Sequence, residues 1–356
     1  MTTRAWVVLF GLTGLGAAGC EAVGSSSAAV IYGNDDRTEI HAVPDGVHRT
    51  AAETAVVMQT DADFLDRSNP DAIRISYEGI LGETEGLCAD VAFFDQPDPG
   101  YCSGTLIDER HVMTAGHCVE TADDCSPQFP WVFGYYYESE GVFAPITADD
   151  VYECVDRVVH RNDLDGDYAI IELDRPVVGR APATLRIDPE PAPNGTALTL
   201  IGHPNGIPMK VAGDASVLDF DGIELYTDLD AFFGNSGSGV WDDAGQVVGI
   251  LVAGSPADYR PRRGSTEECY ELVELTTGDD FEYVQPAYLP LALFCDTGVD
   301  SPACADVVPL ADLPDGGVPR DRSRDEGGCS VGGNGAPSAL FVLLALGLRR
   351  RQRVMS

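Results

Sequence analysis

Positive charge is scarce in this sequence. Its 356 residues contain 22 lysines and arginines against 58 aspartates and glutamates, which gives a formal net charge of −36. Such an excess of negative charge repels nucleic acid and anionic membrane surfaces, and it argues against both as partners. The charge is typical of a strongly solvated exterior, and an attraction for basic polypeptide substrates remains an open alternative.

Metal-ligand patterns are also lacking. No CxxC pair and no Cys/His cluster with zinc spacing occurs, so we expect neither a metal nor another cofactor. Part of an EF-hand ligand pattern occurs at Asp163, Asp165, Gly166 and Glu172. Arg161 stands at the first ligand position of that pattern and has the wrong charge, so we predict no calcium site there.

Sustained helical periodicity is missing from every long stretch of the chain. Strand-like runs rich in β-branched and aromatic residues are instead separated by clusters of Gly, Pro, Asn and Asp. These runs cover residues 131–137, 168–173, 197–201 and 247–253. The sequence therefore predicts an all-β body.

Ten cysteines indicate an oxidising compartment, where thiols become structural disulfides. Cys20 and Cys329 lie in terminal segments, and we assign them to processing. Six others allow 15 pairings: Cys88, Cys125, Cys154, Cys269, Cys295 and Cys304. Proximity along the chain favours Cys125 with Cys154 and Cys295 with Cys304.

The first 20 residues have the composition of a secretory signal. An arginine precedes an apolar run over residues 5–15, and small residues follow up to Cys20. The ending Ala-Ala-Gly-Cys resembles a lipobox, in which the cysteine is acylated, although Ala17 stands where leucine is usual. We therefore predict a signal peptide that is also a possible lipoprotein signal.

The last residues have the pattern of a sorting segment. Cys329 and a glycine-rich stretch precede an apolar run over residues 336–348, which ends in three arginines. The run is shorter than the roughly 20 residues that a bilayer span needs. The pattern resembles the C-terminal sorting signals processed by myxosortase-type enzymes, and an ordinary tail helix is the alternative. We expect a secreted or cell-surface protein, processed at both termini and held to a membrane, such as the outer membrane, only through a terminal anchor.

Composition divides the chain into five segments. Small and polar residues indicate a linker or propeptide after the signal, and Asp, Pro and Gly with little to bury indicate a disordered spacer near the end. The segments are 1–20 (signal peptide), 21–50 (linker or propeptide), 51–295 (folded domain), 296–328 (spacer) and 329–356 (sorting or anchor segment).

Two motifs framed by small residues carry the chemistry. His117 lies in Thr-Ala-Gly-His-Cys, and Ser236 lies in Gly-Asn-Ser-Gly-Ser-Gly. A serine hydroxyl is a weak nucleophile until a nearby base takes its proton. Asp167 stands at the start of a strand-like run, and its carboxylate could orient such a base. The N–H groups of Gly234 and Ser236 suit an oxyanion hole.

Each motif alone has a structural alternative. His117 is also compatible with a buried core histidine, and the Ser236 motif is also compatible with a glycine-rich turn. Together, with Asp167 between them in sequence, they predict an acyl-transfer site.

These segments resemble the chymotrypsin-like (trypsin-like) serine peptidases over most of residues 85–255. The resemblance implies two packed six-stranded antiparallel β-barrels with the site in the cleft between them. It implies that His117 is the base, Asp167 the orienting acid and Ser236 the nucleophile of an endopeptidase. Residues 102–107, Cys-Ser-Gly-Thr-Leu-Ile, precede the histidine motif as in that family, which implies a disulfide between Cys102 and Cys118.

The bacterial glutamyl-endopeptidase-like branch is the most similar one. Residues 30–37, Val-Ile-Tyr-Gly-Asn-Asp-Asp-Arg, resemble the mature N-terminus of those enzymes, and Ser-Ala-Ala before Val30 is typical of a cleavage site. We therefore predict removal of a prosegment. Asn235 replaces the aspartate that pairs with a newly freed N-terminus in animal trypsins, so we do not expect activation by that salt bridge.

The substrate pocket departs from the family pattern. Glutamyl endopeptidases have a threonine and a histidine at the positions of Ala231 and Leu251, so the resemblance does not carry glutamate preference. Asp230, six residues before Ser236, occupies the place of the aspartate that binds Arg or Lys in trypsins. Bacterial relatives without that preference also have it, so a selector and a structural role are both open.

A binding protein with weak or no catalytic activity on the same fold is the alternative function, since a fold does not determine a function. Such proteins usually lose a member of the triad, whereas this chain retains all three residues. The sequence therefore favours a serine endopeptidase that acts on polypeptides.

Overall fold

The computed structural model describes residues 30–255, 258–264 and 268–313, and their body is built almost entirely from antiparallel strands. The strands are β1 (Ile31–Tyr32), β2 (Thr38–Glu39), β3 (Val56–Thr60), β4 (Leu65–Asp66), β5 (Arg74–Ile75), β6 (Gly100–Leu106), β7 (His111–Thr114), β8 (Trp131–Phe133), β9 (Tyr137–Ser139), β10 (Val142–Phe143), β11 (Val151–Tyr152), β12 (Cys154–Asp163), β13 (Gly166–Leu173), β14 (Thr184–Leu185), β15 (Ala197–Gly202), β16 (Lys210–Phe220), β17 (Leu225–Thr227), β18 (Gly239–Asp242), β19 (Gln246–Ala253), β20 (Tyr259–Pro261), β21 (Tyr270–Leu272), β22 (Glu274–Leu275) and β23 (Glu282–Pro286).

Helices are short and lie between or after the strands. The α-helices are α1 (Val47–Thr54), α2 (Leu81–Thr84) and α3 (Tyr288–Asp296). The 3-10 turns are Ile40–Ala42, Ala62–Phe64, Gly116–Val119, Ala148–Asp150, Pro204–Gly206, Pro302–Cys304 and Leu310–Asp312. Among the described residues, no helix combines the length and hydropathy needed to cross a membrane.

The first sheet is a curled half-barrel with the strand order β11-β8-β3-β6-β7-β13-β12. Its inner face is apolar, and Trp131, Phe133 and Ile171 are fully buried there. Burial of these large side chains is the main stabilising term, at about 1.5–3 kcal/mol for each side chain. The sheet holds the segments that carry His117 and Asp167.

The second sheet closes into a six-stranded barrel. Its strands follow the order β19-β18-β15-β16-β17-β23, and β23 pairs again with β19. Leu200, Val240 and Val284 fill its interior. The predicted all-β fold with two packed barrels is confirmed, with the difference that only the second barrel is fully closed by strand pairing in the described residues.

An apolar seam joins the two sheets. Met113 and Ile170 of the first sheet, Ile201 and Ile250 of the second, and Phe294 of α3 belong to one buried cluster. Because the seam packs as a protein interior, it holds the facing ends of both sheets at a defined distance. The loops that bear the predicted site residues lie at this junction.

Residues 30–50 are part of the folded body, although composition assigned them to a linker or propeptide over 21–50. β1 pairs in parallel with β22, and β2 pairs with β16. Val30, Ile31 and Ile40 are at most 1% exposed. These apolar residues are too few and too scattered for a periodic pattern, so their burial is not visible from composition.

The start of the predicted spacer, 296–328, also packs on the body. Val299 and Val307 contact the buried seam, and the Tyr288 hydroxyl donates a hydrogen bond to the Val308 carbonyl at 2.6 Å. A disulfide between Cys295 and Cys304 closes this segment. Small local clusters of this kind do not need a long apolar run. The rest of the spacer, from residue 314, lies outside the described residues.

Four disulfides cross-link the described residues. Two join the cysteines that proximity favoured, Cys125–Cys154 and Cys295–Cys304. The others are Cys102–Cys118 and Cys88–Cys269. The predicted signal peptide with Cys20 and the sorting segment with Cys329 lie outside the described residues.

Candidate active site

His117 and Asp167 are brought together by strand pairing. β13, which contains Asp167, pairs with β7, and the turn with His117 follows β7. Asp167 Oδ1 accepts the backbone N–H of His117 at 2.9 Å, and Oδ2 lies 2.6 Å from the ring Nδ1. An ionised carboxylate only accepts hydrogen bonds, so Nδ1 carries the proton and Nε2 keeps a free lone pair. This tautomer is the one a general base needs.

The residue before the histidine has no space for a side chain. A Cβ at Gly116 would lie 1.9 Å from the Arg161 carbonyl oxygen and 2.9 Å from Asp167 Oδ1. The Gly116 carbonyl lies within hydrogen-bond distance of His160 Nε2, at 3.1 Å. The glycine of the histidine motif therefore allows the close approach that places His117 on its carboxylate.

Ser236 lies in the loop between β17 and β18, and Ser103 of the first sheet holds that loop. The Ser103 N–H donates to the Ser236 carbonyl at 2.8 Å, and its hydroxyl donates to the Gly234 carbonyl at 2.9 Å. The same hydroxyl accepts the His203 N–H at 3.0 Å. Ser103 is fully buried. Sequence reasoning identified the motif over 102–107 but missed this role, because bonds that span a hundred residues or more leave no local pattern.

The two N–H groups predicted to form the oxyanion hole make no hydrogen bond to the described residues. Neither the Gly234 N–H nor the Ser236 N–H donates to an acceptor among the described residues. Gly234 has a φ of +85°. Asn235 closes the turn from inside, since its N–H donates to the Phe232 carbonyl and its Oδ1 accepts from the Ser238 hydroxyl. The loop therefore needs no N-terminal salt bridge to close.

His117 and Ser236 line one open cavity of about 240 Å³. Although both residues are described, no hydrogen bond joins Ser236 Oγ to His117 Nε2. Such bonds are commonly long in ligand-free enzymes and shorten when substrate binds. The remaining lining residues are Gln59, Tyr101, Cys102, Cys118, Asp124, Phe129 and Phe233.

The cavity wall includes the Cys102–Cys118 disulfide. These two sulfurs and a ring nitrogen of His117 lie within 4.8 Å of one another, a spacing at which three such groups can hold a metal. The sulfurs are bonded to each other, however, and a disulfide offers no thiolate ligand. The geometry therefore fits a rigid wall next to the histidine and does not fit a metal centre.

The three predicted pocket residues lie apart from this cavity. Asp230 is 3% exposed, and its carboxylate accepts the N–H groups of Tyr32 at 2.7 Å and Asp36 at 3.2 Å. Ala231 forms a bridge with Val30, and Leu251 packs inside the second barrel. The contacts of Asp230 favour its structural role, as the residue that holds the N-terminal segment against the loop leading to Ser236.

Asp36 is a partner of Asp230 that sequence reasoning missed. Burial, followed by the charge of Asp230, raises the pKa of Asp36, and burial also raises the pKa of Asp230. Two adjacent carboxyl groups cannot both ionise cheaply, so the pair retains a proton well above the ordinary range. Only the motif over residues 30–37 pointed to this segment, and it carried no information about the pairing.

A further partly buried carboxyl group, that of Glu224, is influenced by the charge of Asp167. Burial, with a smaller contribution from the charge of Asp167, raises the pKa of Glu224 to about 7. Raised carboxyl pKa values of this kind are common near functional sites. Sequence reasoning had no means of finding Glu224, because nothing in the sequence around it indicates its burial.

The family profile described as a trypsin-like peptidase domain matches residues 102–250. That range contains His117, Asp167 and Ser236. This similarity covers 149 of the 356 residues, and the fold is chymotrypsin-like. No curated protein sequence matches the chain significantly.

Among solved structures, one similar chain is a Glu endopeptidase in complex with MPD. It is 18% identical with a TM-score of 0.45, and the match covers 75% of this chain and 99% of that one. Another is an inactive serine-to-alanine mutant of Rv3671c from M. tuberculosis. It is 15% identical with a TM-score of 0.41, and the match covers 77% of this chain and 98% of that one.

Proposed function

We propose that this chain is a serine endopeptidase that hydrolyses polypeptides through an acyl-enzyme. The proposal rests on one arrangement of side chains. The Asp167 carboxylate lies 2.6 Å from His117 Nδ1, and His117 and Ser236 line the same cavity. The trypsin-like peptidase domain over residues 102–250 supports it. We further propose secretion or display at the cell surface, for which the four disulfides and the terminal patterns are the support.

In the first half of the reaction, Ser236 Oγ attacks the substrate carbonyl carbon while His117 Nε2 takes the hydroxyl proton. The carbonyl oxygen becomes an oxyanion, and the free N–H groups of Gly234 and Ser236 stabilise it. The C–N bond then breaks, and His117 gives its proton to the departing amine. The product is an ester between Ser236 and the acyl part of the substrate.

In the second half, a water molecule takes the place of the amine. His117 removes one proton from this water as its oxygen attacks the ester carbonyl, and the same proton returns to Ser236 Oγ as the ester breaks. Asp167 stays ionised throughout and stabilises the imidazolium ion of His117. No cofactor is needed for either half.

A matched pair of variants tests the proposal. Ser236→Ala removes the nucleophile, whereas Ser139→Ala changes an exposed serine on β9. We expect proteolysis of a diverse peptide library by the parent protein and by Ser139→Ala, and a loss of about 10⁶-fold in kcat for Ser236→Ala. A phosphonofluoridate probe should add its mass to Ser236 alone. Unchanged proteolysis by Ser236→Ala would contradict the assignment of Ser236 as the nucleophile.

The same library tests the role of Asp230. Cleavage after arginine and lysine that disappears in Asp230→Asn, with folding retained, would support a selector role. Cleavage after other residues would support the anchoring role that its bonds to Tyr32 and Asp36 favour.

Maturation to Val30 is a further part of the proposal. Val30 is fully buried and forms a bridge with Ala231, close in sequence to Ser236. Removal of the preceding residues would place the new N-terminus at this buried bridge. N-terminal sequencing of the active protein checks this, and full activity in protein that retains residues 21–29 would contradict it.

A further inference from the structure

The cavity beside His117 adjoins the group that gives the leaving amine its proton in the proposed reaction. This inference rests on the proposed function, in which His117 Nε2 gives its proton to that amine. The residue after the cleaved bond must therefore come close to His117. The 240 Å³ cavity is lined there by His117 and by the Cys102–Cys118 disulfide.

Aromatic rings form the outer walls of this cavity. Phe233 is 51% exposed and Tyr101 is 38% exposed, which is high for such large side chains. Tyr101 packs edge-on against Phe129, with 6.2 Å between the ring centroids. Exposed aromatic groups around a concave site indicate a place where an apolar group is bound.

A second layer of rings supports the wall from behind. Phe64 lies 6.5 Å from the Tyr101 ring and 4.6 Å from the Tyr77 ring, measured between centroids. Because the Tyr101 ring packs against two other rings, those of Phe64 and Phe129, it loses little freedom when a ligand binds.

Two polar side chains of the cavity, Gln59 and Asp124, form hydrogen bonds with the protein. Gln59 Nε2 donates to the Cys118 carbonyl at 3.2 Å. The Asp124 carboxylate accepts the N–H of Thr121 at 2.7 Å and its hydroxyl at 2.8 Å. Beside these two side chains and the reacting groups of His117 and Ser236, the aromatic rings and the disulfide form the apolar surface of the cavity. The cavity has room for several waters at about 30 Å³ each, and an apolar side chain would release them.

We propose that this cavity binds the side chain of the residue that follows the cleaved bond, and that it selects a large apolar side chain, aromatic before aliphatic. The substrate preference of the enzyme on its leaving-group side is then set by Tyr101, Phe129 and Phe233. These residues act by contact with substrate and take no part in proton transfer.

Acyl transfer to added amines tests the proposal directly. The secreted protein is acylated with one activated ester, and phenylalaninamide, leucinamide, argininamide or glycinamide competes with water for the acyl-enzyme. Because the acyl group is the same in every reaction, the ratio of amide to acid product reports only the leaving-group side. Mass spectrometry measures this ratio. We expect phenylalaninamide to capture the acyl group about tenfold better than glycinamide.

Three variants separate the wall from the rest of the surface. Tyr101→Ala and Phe129→Ala should reduce the preference for phenylalaninamide severalfold, while Tyr101→Phe should retain it. Tyr270→Ala is the control, since this tyrosine is 44% exposed and does not line the cavity. Loss of preference in Tyr101→Ala with recovery in Tyr101→Phe assigns the effect to the ring.

The outcomes distinguish this inference from the proposed function. Ester hydrolysis that depends on Ser236, together with equal capture of all four amides, would overturn the cavity assignment and leave the peptidase standing. Preferential capture of argininamide would overturn it as well, because the carboxylate of Asp124 would then outweigh the rings. Absence of ester hydrolysis that depends on Ser236 would overturn both proposals.

Discussion

Replacing Asp167 by asparagine should move the proton of the neutral His117 ring from Nδ1 to Nε2. The Asp167 carboxylate accepts two hydrogen bonds, from the backbone N–H of His117 at 2.9 Å and from its Nδ1 at 2.6 Å. Asparagine has one acceptor oxygen and one NH₂ donor. A backbone N–H can only donate, so the amide oxygen stays with it and the NH₂ group faces Nδ1. The ring must then carry its proton on Nε2, where it can no longer accept the proton of Ser236.

The wrong tautomer should lower kcat by about 10⁴-fold. This factor corresponds to about 5.4 kcal/mol of transition-state stabilisation. The cost to the free energy of unfolding should be smaller, about 1–3 kcal/mol, because asparagine keeps the shape and both hydrogen bonds, one of them reversed, and loses only the charge of the acceptor. The variant should therefore remain folded while losing nearly all activity.

Burst titration of active sites followed by steady-state ester hydrolysis gives kcat for each variant. Asp165→Asn is the matched control, because its side chain is 54% exposed and forms only a long ion pair with Arg161, at 3.7 Å. A kcat for Asp167→Asn within tenfold of the parent value would refute the tautomer argument. Equal losses in the two variants would point to a general charge effect.

Two further predictions concern stability. Burial raises the pKa of Glu224 from 4.5 to about 7, so between those values the folded protein retains a proton that the unfolded chain releases. The free energy of unfolding should therefore fall as pH rises through this window, by up to about 3 kcal/mol from this group. Urea titrations at several pH values measure the free energy of unfolding, which should fall less steeply with pH in Glu224→Gln than in the parent protein. An equal fall in the two proteins would exclude Glu224 as the cause. Removing Cys88–Cys269, 181 residues apart, should cost about 5 kcal/mol, against about 3 kcal/mol for Cys295–Cys304, nine residues apart; equal losses for the paired serine variants would contradict the chain-entropy argument.

Local composition was sufficient to predict three strands, and one of them, β13, carries Asp167. The runs over 168–173, 197–201 and 247–253 fall inside β13, β15 and β19. The run over 131–137 is divided in the structure, where β8 ends at Phe133 and β9 begins at Tyr137. Gly134 stands between them with a φ of +82°, a conformation that breaks a strand. The division follows from the backbone and is not visible in hydrophobicity.

Pairings across the chain lay beyond prediction. Composition placed residues 30–50 in a linker, yet Tyr32 and Asp36 donate to Asp230 from 198 and 194 residues away. Nothing near Asp36 or Asp230 in sequence distinguishes a buried, shared proton from two solvated carboxylates. Such contacts depend on how the two sheets and the N-terminal segment pack together.

The sequence by itself determined the strand-forming pattern and the candidate residues His117, Asp167 and Ser236. These depend on neighbours along the chain, such as the glycine that lets the backbone approach and the small residues that frame a loop. Only the tertiary structure decided that Ser103 holds the serine loop, that Asp230 holds the N-terminal segment, and that three aromatic rings surround the cavity. Each of these depends on packing between distant segments, where burial and hydrogen bonding are shared among residues that no spacing rule connects.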